Sequence, residues 1–117
     1  AESRALAMAE VAVHLSLATL PKDYVMIEIE IPDTVKIHSI DAEKLNSDWN
    51  SFPYISITQN IGDQFVRENE YCVLEVPSAV VEGDCNFLIN PNHEEIKKIK
   101  ITSVSEFHFD QRIFRDS

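Results

Sequence analysis

The 117 residues carry 44% apolar and 26% charged side chains, the balance of one soluble domain large enough to bury a core. Ten lysines and arginines against twenty aspartates and glutamates leave a net charge of −10, a field that repels phosphate and argues against direct nucleic-acid binding. The most apolar stretch, Ala5–Leu20, is broken by Glu10 and His14. It falls short of the roughly 20 apolar residues that cross a bilayer and does not read as a signal peptide.

Ser3–Thr19 reads as a helix that is apolar on nearly every side, with Leu6, Ala9, Val13 and Leu17 on one flank and Met8, Val11 and Leu15 on the other. Such a helix is expected to be buried. Tyr24–Ile31 alternates, with Val25, Ile27, Ile29 and Ile31 on one face, and predicts a half-buried strand ended by Pro32. Val35–Ile40 is a shorter strand, Asp41–Leu45 a helical turn, and Asn46–Pro53 a loop holding the only tryptophan, Trp49. Tyr54, Ile57, Ile61 and Phe65 mark a second helix running to about Arg67. Within it, Gly62 is placed to permit close packing. Tyr71–Val76 alternates into Pro77. Ala79–Val81 and Asn86–Asn90 read as short strands around a Glu82-Gly83-Asp84 turn. Pro91–Lys98 suggests a short helix led by proline. Ile99–Phe109 reads as a long strand with Ile101, Ser103, Ser105, Phe107 and Phe109 on one face, closed by Asp110-Gln111-Arg112. Helices and strands do not alternate regularly, so the expected class is a single α+β domain with mostly antiparallel sheets and a buried helix. No GxGxxG or P-loop is present, which leaves Rossmann and Walker modes of nucleotide binding unsupported.

Glu10 is the most informative residue, because it lies within the apolar stripe of the first helix and ionised carboxylates are rarely buried without a partner. It reads either as a carboxylate beside a cleft, as a helix edge in solvent, or as a structural partner of His14. Ser78, after Pro77 at a strand end, is placed either to face a cleft or to make a turn. Without a GxSxG elbow it is not read as a hydrolase nucleophile. Asn86, Asn90 and His93 cluster around Pro91, where an asparagine before a proline-led helix suits an N-cap. The four histidines lack any HxxxH or HExxH spacing, so no metal is expected. Cys72 and Cys85 form no CxxC pair; a structural disulfide between them is open but unforced, and they read first as reduced thiols of a cytosolic protein.

In order along the chain, Ser3–Glu10 with Val13-His14-Leu15, then IEIEIPD (Ile27–Asp33), DWN (Asp48–Asn50), IGDQF (Ile61–Phe65), LEVPSAVV (Leu74–Val81), NFLINPNH (Asn86–His93) and FHFDQRIF (Phe107–Phe114) resemble the RES family. The VPSAVV and NFLINPNH segments are the most specific part. The family is named for an Arg, a Glu and a Ser. Glu10 matches the Glu and Ser78 the Ser, while the family's Arg, with a Tyr, lies upstream of the helix in which this sequence opens. Residues 1–117 are therefore expected to be a RES domain lacking that N-terminal Arg/Tyr segment. Phe65 stands where the family often has Trp.

The resemblance implies a fold similar to ADP-ribosyltransferases and NAD as substrate. It implies a cytoplasmic toxin, paired with an Xre-type antitoxin, that depletes NAD by cleaving the nicotinamide–ribose bond with water or phosphate as acceptor. Glu10 and Ser78 are then the expected catalytic residues, and Ser78 and Asn90 the expected contacts to NAD. No membrane or nucleic-acid partner is implied, and homo-oligomerisation stays open. Two alternatives remain: a catalytically inactive module that docks an antitoxin, and an ADP-ribosyltransferase acting on a protein. The absent Arg would supply the positive charge that NAD's pyrophosphate needs.

Overall fold

A computed structural model describes residues 1–15, 22–45 and 56–114. The elements run α1 (Arg4–Ala12), β1 (Val25–Glu30), β2 (Ile37–Ser39), α2 (Ser56–Glu68), β3 (Val73–Pro77), β4 (Cys85–Ile89) and β5 (Lys100–Glu106). Short 3-10 turns at Ala42–Lys44, Glu94–Lys98 and Gln111–Phe114 connect or close them. The expected loop around Trp49 and the helical residues 16–19 lie outside the described residues. No helix among the described residues is long and apolar enough to cross a membrane.

The strands form two sheets. One is a β1–β5 antiparallel ribbon; the other has the order β2-β3-β4, with β2 parallel to β3 and β4 antiparallel to it. The α+β class and the mostly antiparallel pairing thus follow the sequence pattern. The core sits under the three-stranded sheet, where buried Val35, Cys72 and Val73 pack against Ile31, Phe87, Ile89, Ile96 and Ile99.

Several elements depart from the sequence reading. The first helix is shorter: Ser3 caps it, its hydroxyl accepting from Leu6 N at 3.1 Å. After Ala12 its last bonds tighten to His14 N–Val11 O and Leu15 N–Ala12 O, a narrowing that suits β-branched Val11 and Val13. Only Leu6 of this helix is buried, and residues 7–12 are half-buried. Ala79–Val81 is not a strand; it forms the turn between β3 and β4.

The ribbon departs furthest. Val25, Ile27 and Ile29 are 46–50% exposed where a half-buried face was expected; Ile27 and Ile29 line an open cleft with Ala5, Ala7, Phe87 and Ile89. In β5 the register slips opposite Glu28/Ile29, so Ile101 pairs with Ile29 and Val104 with Ile27. Thr102 is the extra residue, and its hydroxyl donates to the Glu28 carboxylate at 3.0 Å. A bulge of this kind reverses the alternation beyond it, which puts Val104, not Ser103, on the face of Ile101. Phe107 and Phe109 follow the strand and pack edge-to-face at 4.8 Å, with Tyr24 against Phe109 at 5.3 Å.

Candidate active site

Ser78 begins the turn that joins β3 to β4. Its backbone N–H donates to Asp84 O at 2.8 Å and Asp84 N–H donates to Val81 O at 3.2 Å. Gly83 supplies the left-handed step, at φ +91°, that an L side chain rarely adopts. Inside this loop the Ser78 hydroxyl accepts from Val80 N and Val81 N, both at 3.0 Å. Two backbone donors fill its acceptor sites, and its own proton is directed outward to Glu10 Oε1 at 2.8 Å. A hydroxyl so committed, and only 3% exposed, is built to hold a neighbour and not to attack a substrate.

Glu10 reaches that hydroxyl because it lies one helical turn after buried Leu6, on the same side of α1. The start of the chain is fixed to β4 as well, through Glu2 N–Cys85 O at 3.2 Å and Cys85 N–Glu2 Oε1 at 3.1 Å. Asn86 on β4 completes the group, its Nδ2 donating to Glu10 Oε1 at 2.6 Å. In the antiparallel register Asn86 pairs with Val76, and Ser78 lies two residues beyond Val76, on the same face of the sheet. Glu10 thus meets, around one of its oxygens, two residues that lie 68 and 76 positions further along the chain.

Both donors go to Oε1. Oε2 has no hydrogen-bond partner among the described residues, and no buried side-chain oxygen there is left unpaired. Oε2 is therefore not buried, and Glu10 lines the adjoining cleft. This cleft, of about 200 Å³, is lined by Glu10, Ile40, Leu45, Ile61, Gly62, Val76, Pro77, Ala79, Asn86 and Leu88. Glu10 and Asn86 are the only polar side chains of that lining among the described residues. Gly62 does not serve close packing as expected: a Cβ there would meet nothing within 4 Å, so it leaves room in the cleft wall. A second cleft of about 270 Å³ shares Ile40 and Ile61 and continues past His38 and Tyr71, whose rings stack at 5.0 Å. Together the two are of the size that takes small molecules. Among the described residues, no lysine or arginine lines either.

Of the expected site residues, the structure brings Glu10 and Ser78 into contact and does not bring Asn90 to them. Asn90 lies past the far end of β4, roughly 13 Å along the strand from Asn86. It is fully buried, and both ends of its amide are occupied: Nδ2 donates to Asn69 Oδ1 at 2.8 Å and Oδ1 accepts from Asn92 N at 3.0 Å. Asn69 ends α2 in the left-handed conformation, at φ 51°, so Asn90 ties the end of that helix to the sheet. Nor does Asn90 cap the following turn, which is capped by His93 Nδ1, accepting from Glu95 N at 3.0 Å. Replacing Asn90 with alanine strands buried polar groups and is expected to lower stability by about 1–3 kcal/mol, read as a fall in the urea midpoint at unchanged slope.

Sequence reasoning missed Asn86 as a site residue and saw only a local cap. Its β-strand alternation, with Phe87 inward to the core and Leu88 toward the cleft, is the signal that places it on the cleft face. Both cysteines are free, as read from their spacing. Burial, with Glu95 second, raises the Cys72 thiol above its ordinary range, and burial followed by Glu75, Glu2 and Asp84 raises Cys85, so neither is an activated thiolate.

Residues 1–110 match the family described as the RES domain. The chain is similar to a Prs ADP-ribosylating toxin of Sphingobium sp., 36% identical over 117 residues that cover 98% of this chain and 73% of that protein. It is also similar to a Toxin Res of Pseudomonas putida, 34% identical over 110 residues, covering 92% of this chain and 72% of the relative. A Toxin Res of Photorhabdus laumondii is 32% identical over 116 residues, covering 98% and 74%.

Proposed function

The chain belongs to the RES domain family, and from that premise we propose that it is a toxin that consumes NAD at the Glu10 cleft, cleaving the bond between nicotinamide and ribose. The observation that carries the reading is the carboxylate of Glu10 in the cleft wall, fixed through one oxygen by Ser78 and Asn86 while the other has no partner among the described residues.

In this reaction the C1′–N bond breaks and its electron pair leaves with neutral nicotinamide. Positive, oxocarbenium-like charge develops on the ribose. Water or phosphate then adds through oxygen to C1′, and a proton is released when the acceptor is water. A carboxylate held in place stabilises that charge without having to reorganise, as carboxylates do in glycoside cleavage. The polar side chains of the cleft suit this end of NAD: Oε2 of Glu10 can accept from ribose hydroxyls, which sets its charge beside the ribose carbon that turns cationic as the bond breaks. Ser78 acts by fixing Glu10. The pyrophosphate finds no cation among the described lining residues, in keeping with the family's Arg as its expected partner.

Free thiols suit a reducing cytoplasm. As the toxin of a pair, the protein takes an Xre-type antitoxin as its partner, and the net charge of −10 favours basic surface on it. One relative's printed name, an ADP-ribosylating toxin, supports a second reading in which the acceptor is a protein.

The test is to join the chain to the Arg-bearing upstream segment of a RES relative, incubate it with NAD in phosphate buffer and in phosphate-free buffer, with and without a panel of candidate acceptor proteins, and identify the products. Free nicotinamide with ADP-ribose or its 1″-phosphate supports the proposal. ADP-ribose on protein alone supports the second reading. No nicotinamide under any condition overturns both and leaves a binding module.

A further inference from the structure

We propose that Asn86 is a positioning residue of this site, acting through Glu10 by fixing which carboxylate oxygen faces the substrate. The inference rests on the reading of Glu10 as the charge-stabilising group. It begins with an asparagine at a place where the lining is otherwise apolar: Val76 is its cross-strand partner, and Leu88, Ile40 and Ile61 share the wall. Nothing in the packing of that wall calls for an amide. A leucine or valine would suit the same strand position and the same face.

The amide has one described partner. Nδ2 donates to Glu10 Oε1 at 2.6 Å, shorter than the usual N–H···O contact and typical of a bond to a charged acceptor. Because Glu10 can only accept there, the amide orientation is determined: nitrogen toward Glu10, oxygen away from it. Oδ1 has no donor among the described residues.

Ser78 alone would leave the carboxylate free to turn about its last torsion, a broad two-fold rotation. Either oxygen could then take the serine proton while the other sampled several directions. A second donor on the same oxygen, from the opposite strand, removes that freedom. Ser78 is itself fixed by Val80 N and Val81 N, and Asn86 by the β3–β4 ladder, so the clamp is built from backbone on both sides. The free oxygen is then Oε2, held in one orientation before substrate arrives. Such preorganisation acts on the transition state more than on ground-state binding.

The test combines kinetics with structure. Nicotinamide release is measured for the wild type, Asn86→Ala, Asn86→Leu (similar in size but with no donor), Glu10→Ala and the Glu10→Ala/Asn86→Ala pair, each joined to the same upstream segment and checked for an intact fold by thermal unfolding. Loss of a hydrogen bond to a charged group lowers kcat by about 10- to 100-fold with KM little changed. Asn86→Ala and Asn86→Leu should both do so, and Asn86→Ala should cost nothing further once Glu10 is gone, since a residue acting only through Glu10 is non-additive with it. Additive losses, or a change in KM alone, would overturn the proposal. Crystal structures of the two Asn86 variants decide the matter without any activity: the Glu10 carboxylate should leave its wild-type orientation, and an unmoved carboxylate refutes the positioning role. If the wild type releases no nicotinamide, the NAD reading fails while these structures still judge Asn86.

Discussion

Replacing Glu10 with alanine lowers nicotinamide release by about two to three orders of magnitude, the cost of removing one preorganised electrostatic group from an active site. The loss falls on kcat, because the carboxylate opposes a charge that exists only as the glycosidic bond breaks. Glu10→Gln separates charge from shape. The amide oxygen can still accept from Ser78 and Asn86, which hold Oε1 at 2.8 and 2.6 Å, so the side chain keeps its place without its charge. The account predicts that this variant loses nearly as much activity as Glu10→Ala. Activity within a few-fold of wild type for Glu10→Gln would show that the charge is not what the reaction uses. The helix itself should survive either change, since Leu6 and not Glu10 is its buried anchor.

Ser78→Ala has the second largest effect, and it acts on stability and activity together. The hydroxyl serves three groups: Val80 N, Val81 N and the Glu10 carboxylate. Alanine leaves two turn amides without their acceptor, which costs about 1–3 kcal/mol for each one that stays buried. Glu10 also loses one of its two donors, a further fall in kcat of about 10- to 100-fold. Ser78→Thr keeps the hydroxyl and should restore most of both, measured by urea unfolding and by nicotinamide release per folded molecule. A Ser78→Ala protein of wild-type stability would contradict the turn geometry. One that is destabilised yet fully active per folded molecule would show that Ser78 supports the fold alone.

Periodicity announced the elements that position the site, and family resemblance announced two of its members. Glu10 stood out because a carboxylate interrupted an apolar stripe, a local signal that needs no tertiary knowledge. Ser78 carried no such signal, since a serine after proline is an ordinary turn residue; its partner lies 68 positions away, and periodicity does not report a contact of that separation. Asn86 and Asn90 show the limit from both sides. Each is an asparagine at a strand end, and sequence alone does not tell the one turned to the cleft from the one whose amide closes the end of α2. The bulge at Thr102 was equally hidden, because neither glycine nor proline marks it and it reveals itself only in the register against β1. The exposed face of the ribbon has a plainer cause. Alternation in Val25–Ile31 tells which side chains share a face, but not whether another layer covers it.

The most direct test of the central claim is a crystal structure of the full chain with ADP-ribose, the product expected when water is the acceptor. The account predicts the nicotinamide-side ribose in the cleft beside Asn86 and Ile61, with a hydroxyl donating to Glu10 Oε2 and Ser78 still bound to Oε1. A ribose seated elsewhere, with the Glu10 carboxylate untouched, would contradict it.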